Sequence, residues 1–103
     1  MHVIQIFLPV HANKGKAFSN EKYARIRKTL TKRFGGLTTY TRAPAEGLWK
    51  DVQKAARHDD IVIFEVMAAE LDKPWWKQYK KQLEQTFAQE ELIIRVQKVK
   101  ILK

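Results

Sequence analysis

The chain has 103 residues, 45% of them apolar and 30% charged, with a formal net charge of +9 and no cysteine. That length fits one domain with one core, residues 1–103, and the composition is that of a folded globular chain. The missing cysteines exclude disulfides, iron–sulfur clusters, thiolate zinc sites and thiol nucleophiles.

The opening "MHVIQIFLPVHANK" is too short an apolar run to span a bilayer and has no basic lead-in. It predicts no membrane segment and a cytoplasmic protein. Residues 3–10 alternate, with Ile4, Ile6, Leu8 and Val10 on one side and Val3, Gln5 and Phe7 on the other, which is a strand with one fully apolar face. A polar loop, "HANKGKAFSN", leads into a helix over 20–34 whose stripe is Tyr23, Ile26, Leu30 and Phe34. Ser19 or Asn20 can cap it, and Gly35 can end it in the left-handed conformation. "LTTYTR" at 37–42 reads as a second strand, broken by Pro44 and Gly47, and 49–57 has the rough spacing of a short irregular helix. "DDIVIFEVMAA" is a third strand, apolar on both faces except for Glu65. In "LDKPWWKQYKKQLEQTF", Asp72 is the cap, Pro74 sits in the first turn, Trp76, Tyr79, Leu83 and Phe87 form the stripe, and Leu71 can staple against Trp76. "ELIIRVQKVKIL" is the last strand, its alternation slipping near Gln97 and Lys98 as a bulge would make it.

The order strand, helix, strand, strand, helix, strand is the ferredoxin-like βαββαβ plan of the α+β class. It predicts a four-stranded antiparallel sheet with two helices on one face and an extra segment after the second strand. The other face, carrying Val3, Gln5 and Phe7 with either Val62, Phe64 and Val66 or Ile61, Ile63 and Met67, would be an apolar patch that needs cover. The segment 43–57 or a second copy of the chain could supply it.

"FGGLTTYTRAPAEGLW" at 34–49, together with "WW" opening the second helix, resembles small uncharacterised bacterial domains with a GGLT…G.W signature. The element order and doubly apolar strands resemble the ferredoxin-like domains that pair into dimeric α/β barrels. That resemblance implies a homodimer joined through the open sheet face. The histidines and asparagines used by haem-degrading and quinol-oxidising members of that group have no match here, so the resemblance carries over no activity.

Glu65, flanked by "IVIF" and "VMAA", needs a cationic or hydrogen-bonding partner if it is buried. Tyr40 and Arg42 share one face of the second strand, and a hairpin would bring them toward it. With Glu46 and Trp49 from the following turn they predict a lid-like turn around a small-molecule pocket, the molecule being anionic if Arg42 faces it; structural pairing explains Arg42 and Glu65 equally well. His11, Lys14 and Lys16 surround the N-terminus of the first helix and form a candidate anion site, although the P-loop pattern is absent.

Residues 1–33 carry eight Lys or Arg against one acid. Lys14, Lys16, Arg25, Lys28, Lys32 and Arg33 therefore support a second reading, a module that binds nucleic acid or another polyanion, beside the commoner one of a solvated helix face. RNA-recognition domains share the element order and stack bases on aromatics of the first and third strands, here Phe7 and Phe64, but their basic-glycine-aromatic pattern is missing. His58, Asp59 and Asp60 read better as a turn and strand cap than as a metal site, Ser19 reads as a cap, and acid–base catalysis by Glu65 or His11 finds no partner at fixed spacing. No cofactor and no metal is called for, and catalytic residues are not identifiable.

Overall fold

A computed structural model of the chain describes residues 1–12, 15–42 and 61–103, with the backbone alone for Thr41 and Arg42. Strand β1 (His2–Pro9) buries Ile4, Ile6 and Leu8 completely and leaves Val3, Gln5 and Phe7 half-buried, as its alternation requires. Helix α1 (Asn20–Phe34) follows. Ser19 occupies its N-cap position, but its side chain makes no cap hydrogen bond; Glu21 in the first turn and Lys32 and Arg33 in the last complement the helix dipole. Gly35 ends α1 at φ 79°, its N–H donating to the Thr31 carbonyl at 2.8 Å. A Cβ there would meet nothing within 4 Å, so the need for glycine is torsional rather than steric.

Strands β2 (Thr38–Arg42) and β3 (Ile61–Ala68) come next, then helix α2 (Lys73–Thr86) and strand β4 (Ile93–Lys98). Asp72 caps α2 by accepting from the Trp75 N–H at 3.2 Å, and Pro74 sits in the first turn. The irregular helix expected at 49–57, and the breakers Pro44 and Gly47, lie outside the described residues. The bulge expected in the last strand is not there. β4 keeps an unbroken register with β1 through Lys98 and simply ends, leaving Ile101 and Leu102 exposed.

The sheet has the order β2-β3-β1-β4 and is antiparallel throughout, which is the ferredoxin-like arrangement. Register settles which face of β3 turns inward: Ile4 stands opposite Val66 and Ile6 opposite Phe64, so Val62, Phe64 and Val66 join the core. Both helices cover that face with Tyr23, Ile26 and Leu30 from α1 and Trp76, Tyr79 and Leu83 from α2, and Phe87 and Leu92 close one end. Each fully buried side chain of this set contributes roughly 1.5–3 kcal/mol of transfer free energy.

The helices run antiparallel. Lys22 near the start of α1 donates to the Thr86 carbonyl at the end of α2 (2.8 Å), and Arg33 at the other end pairs with Asp72 (3.0 Å). Between them an aromatic seam joins the two, with Phe34 stacked on Trp76 at 5.4 Å and edge-on to Trp75 at 5.7 Å. Trp75 and Trp76 thus both work in packing, and the Arg33 guanidinium lies 4.2 Å from the Trp75 ring.

Candidate functional site

Cross-strand partners in an antiparallel sheet point to the same face. Opposite the helices the register therefore assembles Val3, Gln5 and Phe7 from β1, Ile61, Ile63, Glu65 and Met67 from β3, Thr38 and Tyr40 from β2, and Ile93, Arg95 and Gln97 from β4. This open face is apolar at both ends, and a row of polar residues crosses its middle. Gln5 is paired with Glu65 on one side and Arg95 on the other, and Thr38 lies beyond Glu65.

Glu65 is the centre of that row. The Gln5 Nε2 amide donates to its Oε1 at 2.8 Å, and the Tyr40 hydroxyl reaches its Oε2 at 3.4 Å. An ionised carboxylate only accepts, so both contacts are charge-assisted and hold it in place across three strands. The negative charge of Glu65, then desolvation, then the hydrogen bond itself raise the Tyr40 phenol above its ordinary range, so it stays a neutral donor at physiological pH. Around this centre Arg95 places its guanidinium 5.2 Å from the Phe7 ring, Ile63 is buried, and Met67 and Ile93 are exposed.

Of the residues expected to form a pocket, Tyr40 and Glu65 meet. Arg42 does not stand across from Glu65. Its backbone pairs with Ile61, while Glu65 pairs with Thr38, a displacement of four residues, or about 13 Å along the strand. Among the described side chains Glu65 meets Gln5 and Tyr40. Glu46, Trp49, His58, Asp59 and Asp60 lie outside the described residues. Gln5 was legible and missed: it is the one polar side chain inside β1, as Glu65 is inside β3.

The loop before α1 is less suited to an anion than its composition suggests. His11 bridges Ala17 across a small turn, and the N–H groups of Ala12, Gly15 and Phe18 donate to the carbonyls of Lys16, Ala12 and Val10. Those donors are spent within the loop and cannot converge on a ligand. Lys16 is exposed, and Lys14 lies outside the described residues. Phe7 and Phe64, the pair that a base-stacking sheet would need, lie on opposite faces, and Phe64 is fully buried beneath the helices.

The described residues hold no group of three side chains suited to a metal ion, and no helix among them is long and apolar enough to cross a membrane. A groove of about 550 Å³ runs between α2 and β4, floored by Leu71, Trp76, Ile94 and Val96 and flanked by Lys73, Lys77 and Lys80. Sequence periodicity did not signal it, because it arises where the edge strand leaves the helix uncovered.

No family model and no curated protein matches the chain. Two solved structures share its fold, both of a phage SAM lyase. The complex with S-methyl-5'-thioadenosine has a TM-score of 0.56 at 16% identity, covering 93% of this chain and 79% of that one. The apo state has a TM-score of 0.52 at 14% identity, covering 93% and 78%. Identities this low establish the architecture, a small α+β domain with a four-stranded antiparallel sheet and two helices.

Proposed function

We propose that this protein binds a small molecule on the open face of its sheet, at the centre formed by Gln5, Tyr40 and Glu65, and that it does so as a homodimer. The observation that carries the reading is a carboxylate held by donors from two neighbouring strands in the polar row that crosses a face apolar at both ends. Glu65 keeps lone pairs beyond those two contacts, so it suits a ligand that donates hydrogen bonds or carries positive charge, with an apolar body to lie over Val3, Phe7 and Ile93. An anion is disfavoured at this centre. Pairing of two open faces, as in dimeric α/β barrels, would remove Met67 and Ile93 from water and enclose the ligand.

The first probe follows from the shared fold. S-methyl-5'-thioadenosine, present in one phage SAM lyase structure, offers ribose hydroxyls to a carboxylate and a methylthio tail to an apolar surface. Titration calorimetry of the wild type and Glu65→Gln with this nucleoside, adenosine and inorganic phosphate tests the site. The nucleosides should bind, phosphate should not, and the variant should lose about 10-fold or more, the usual worth of a hydrogen bond to a charged group. Equal binding by the two proteins would place the site elsewhere, and absence of nucleoside binding would remove this ligand class. Sedimentation that shows a clean monomer at tens of micromolar, roughly where such interfaces persist, would remove the dimer.

A further inference from the structure

The net charge of the protein is concentrated in its helical layer. α1 carries six Lys or Arg against Glu21, and α2 carries four against Glu84, so the helices hold +8 of the chain's +9. Four of these cations are engaged: Lys22 with the Thr86 carbonyl, Arg33 with Asp72, Lys80 with Glu84 and Glu91, and Arg27 over the Phe64 ring at 5.9 Å. Arg25, Lys28 and Lys32 on α1 and Lys73, Lys77 and Lys81 on α2 are exposed and have no charged or hydrogen-bonding partner among the described residues.

We propose that this layer is a docking surface for the sugar–phosphate backbone of a double-stranded nucleic acid, read without regard to base sequence. The proposal does not rest on the open-face site, which lies across the sheet. Arg25, Lys28 and Lys32 fall on the helix side directed away from Tyr23, Ile26 and Leu30, with axial steps of about 4.5 and 6 Å. A duplex strand carries a charge every ~3.4 Å of axis, so such a ladder meets phosphates one or two nucleotides apart.

What the layer lacks selects the partner. The large hydrophobic side chains that are exposed, such as Met67, Ile93 and Val96, all lie outside the helices. A helix lying in a membrane interface buries an apolar face, and here the apolar faces of both helices are already used against the sheet. Protein interfaces are anchored by aromatic or aliphatic groups, and single strands by stacking on exposed rings; the exposed positions of α1 and α2 carry neither, and the apolar groove of Leu71, Ile94 and Val96 lies beside α2, toward β4. A phosphate backbone requires only spaced cations and polar groups.

The test is fluorescence anisotropy of a labelled 20-base-pair mixed-sequence DNA duplex against salt, with a thymidine 20-mer and vesicles of seven parts phosphatidylcholine to three of phosphatidylserine run alongside. Duplex affinity should be micromolar at about 50 mM salt and fall with a log–log slope of roughly −4 to −5, as contacts by Arg25, Lys28, Lys32, Lys77 and Lys81 imply. R25Q/K28Q/K32Q should reduce the slope by about 2.7 and the affinity at 0.1 M salt by at least about 100-fold, and K77Q/K81Q should reduce the slope by about 1.8. Thermal melts confirm that both variants fold. No duplex binding at low salt, a slope unchanged in both variants, preference for the single strand, or binding to vesicles without binding to duplex would each overturn the proposal.

Discussion

The Gln5–Glu65 contact can be measured directly. The two residues are in register on adjacent central strands, both are half-buried, and the amide nitrogen stands 2.8 Å from the carboxylate. A hydrogen bond to a charged group contributes about 1.5–3 kcal/mol, and partial exposure places this one at the lower end, about 1–2 kcal/mol. Gln5→Met takes away the closest donor to the carboxylate, and Glu65→Met leaves the amide facing a thioether; each single variant should lose stability. The double variant replaces both groups by side chains of similar shape, so it should lose less than the sum, and the cycle should return a coupling of about 1–2 kcal/mol. In a domain of this size that corresponds to roughly 4–16 °C of melting temperature. Urea unfolding of the four proteins at neutral pH gives the value. A coupling within about 0.3–0.5 kcal/mol of zero, the scatter of independent sites, would show that the two side chains do not meet and would remove the centre of the proposed binding face.

Phe64→Ala should cost about 3–5 kcal/mol in urea unfolding, because the ring is fully buried in the core; a loss under about 1 kcal/mol would mean that it faces solvent. Burial pushes the Tyr79 phenol up to about 12 despite an opposing hydrogen bond with Thr29. The folded protein therefore holds that proton after the unfolded chain has released it, and this contribution is complete below pH 10 and lost as pH rises to about 12, roughly 3 kcal/mol in all. Tyr79→Phe should flatten the alkaline limb of the stability curve relative to wild type, and an unchanged limb would refute the assignment. Asp72→Ala should destabilise by about 1 kcal/mol through the lost α2 cap, with little added by the exposed Arg33 pair; salt titration of the melt separates the two terms.

Element order and the inner face of β1 were legible because Ile4, Ile6 and Leu8 alternate with more polar neighbours, and both helix stripes followed from their spacing. The inner face of β3 was not, since "IVIFEV" is apolar on either side, and only its pairing with β1 chooses Phe64 over Ile63. Glu65 stood out as a carboxylate in need of a partner. Its pairing with Arg42 assumed that a hairpin would set them opposite each other, but residues 43–60 separate β2 from β3, and no turn rule fixes a register across such a length. Gln5 required only that the two polar residues within central strands be placed opposite each other. The slip near Gln97 was read as a bulge because alternation cannot distinguish a distorted strand from one that stops.

The position of β1 in the sheet orders the events of folding. It lies between β3 and β4, so every strand pairing along both its edges is made to chain more than fifty residues downstream. During synthesis at about 5–20 residues per second, Ile4, Ile6 and Leu8 emerge seconds before either neighbouring strand exists. α1 and α2 can each form from local contacts as they emerge, whereas closure of β1 must wait for β3 and then β4 and carries the entropy of two long loops. The innermost strand of the finished sheet is thus the one exposed longest on the way to it, and nascent chains halted before β4 present its free edge to one another.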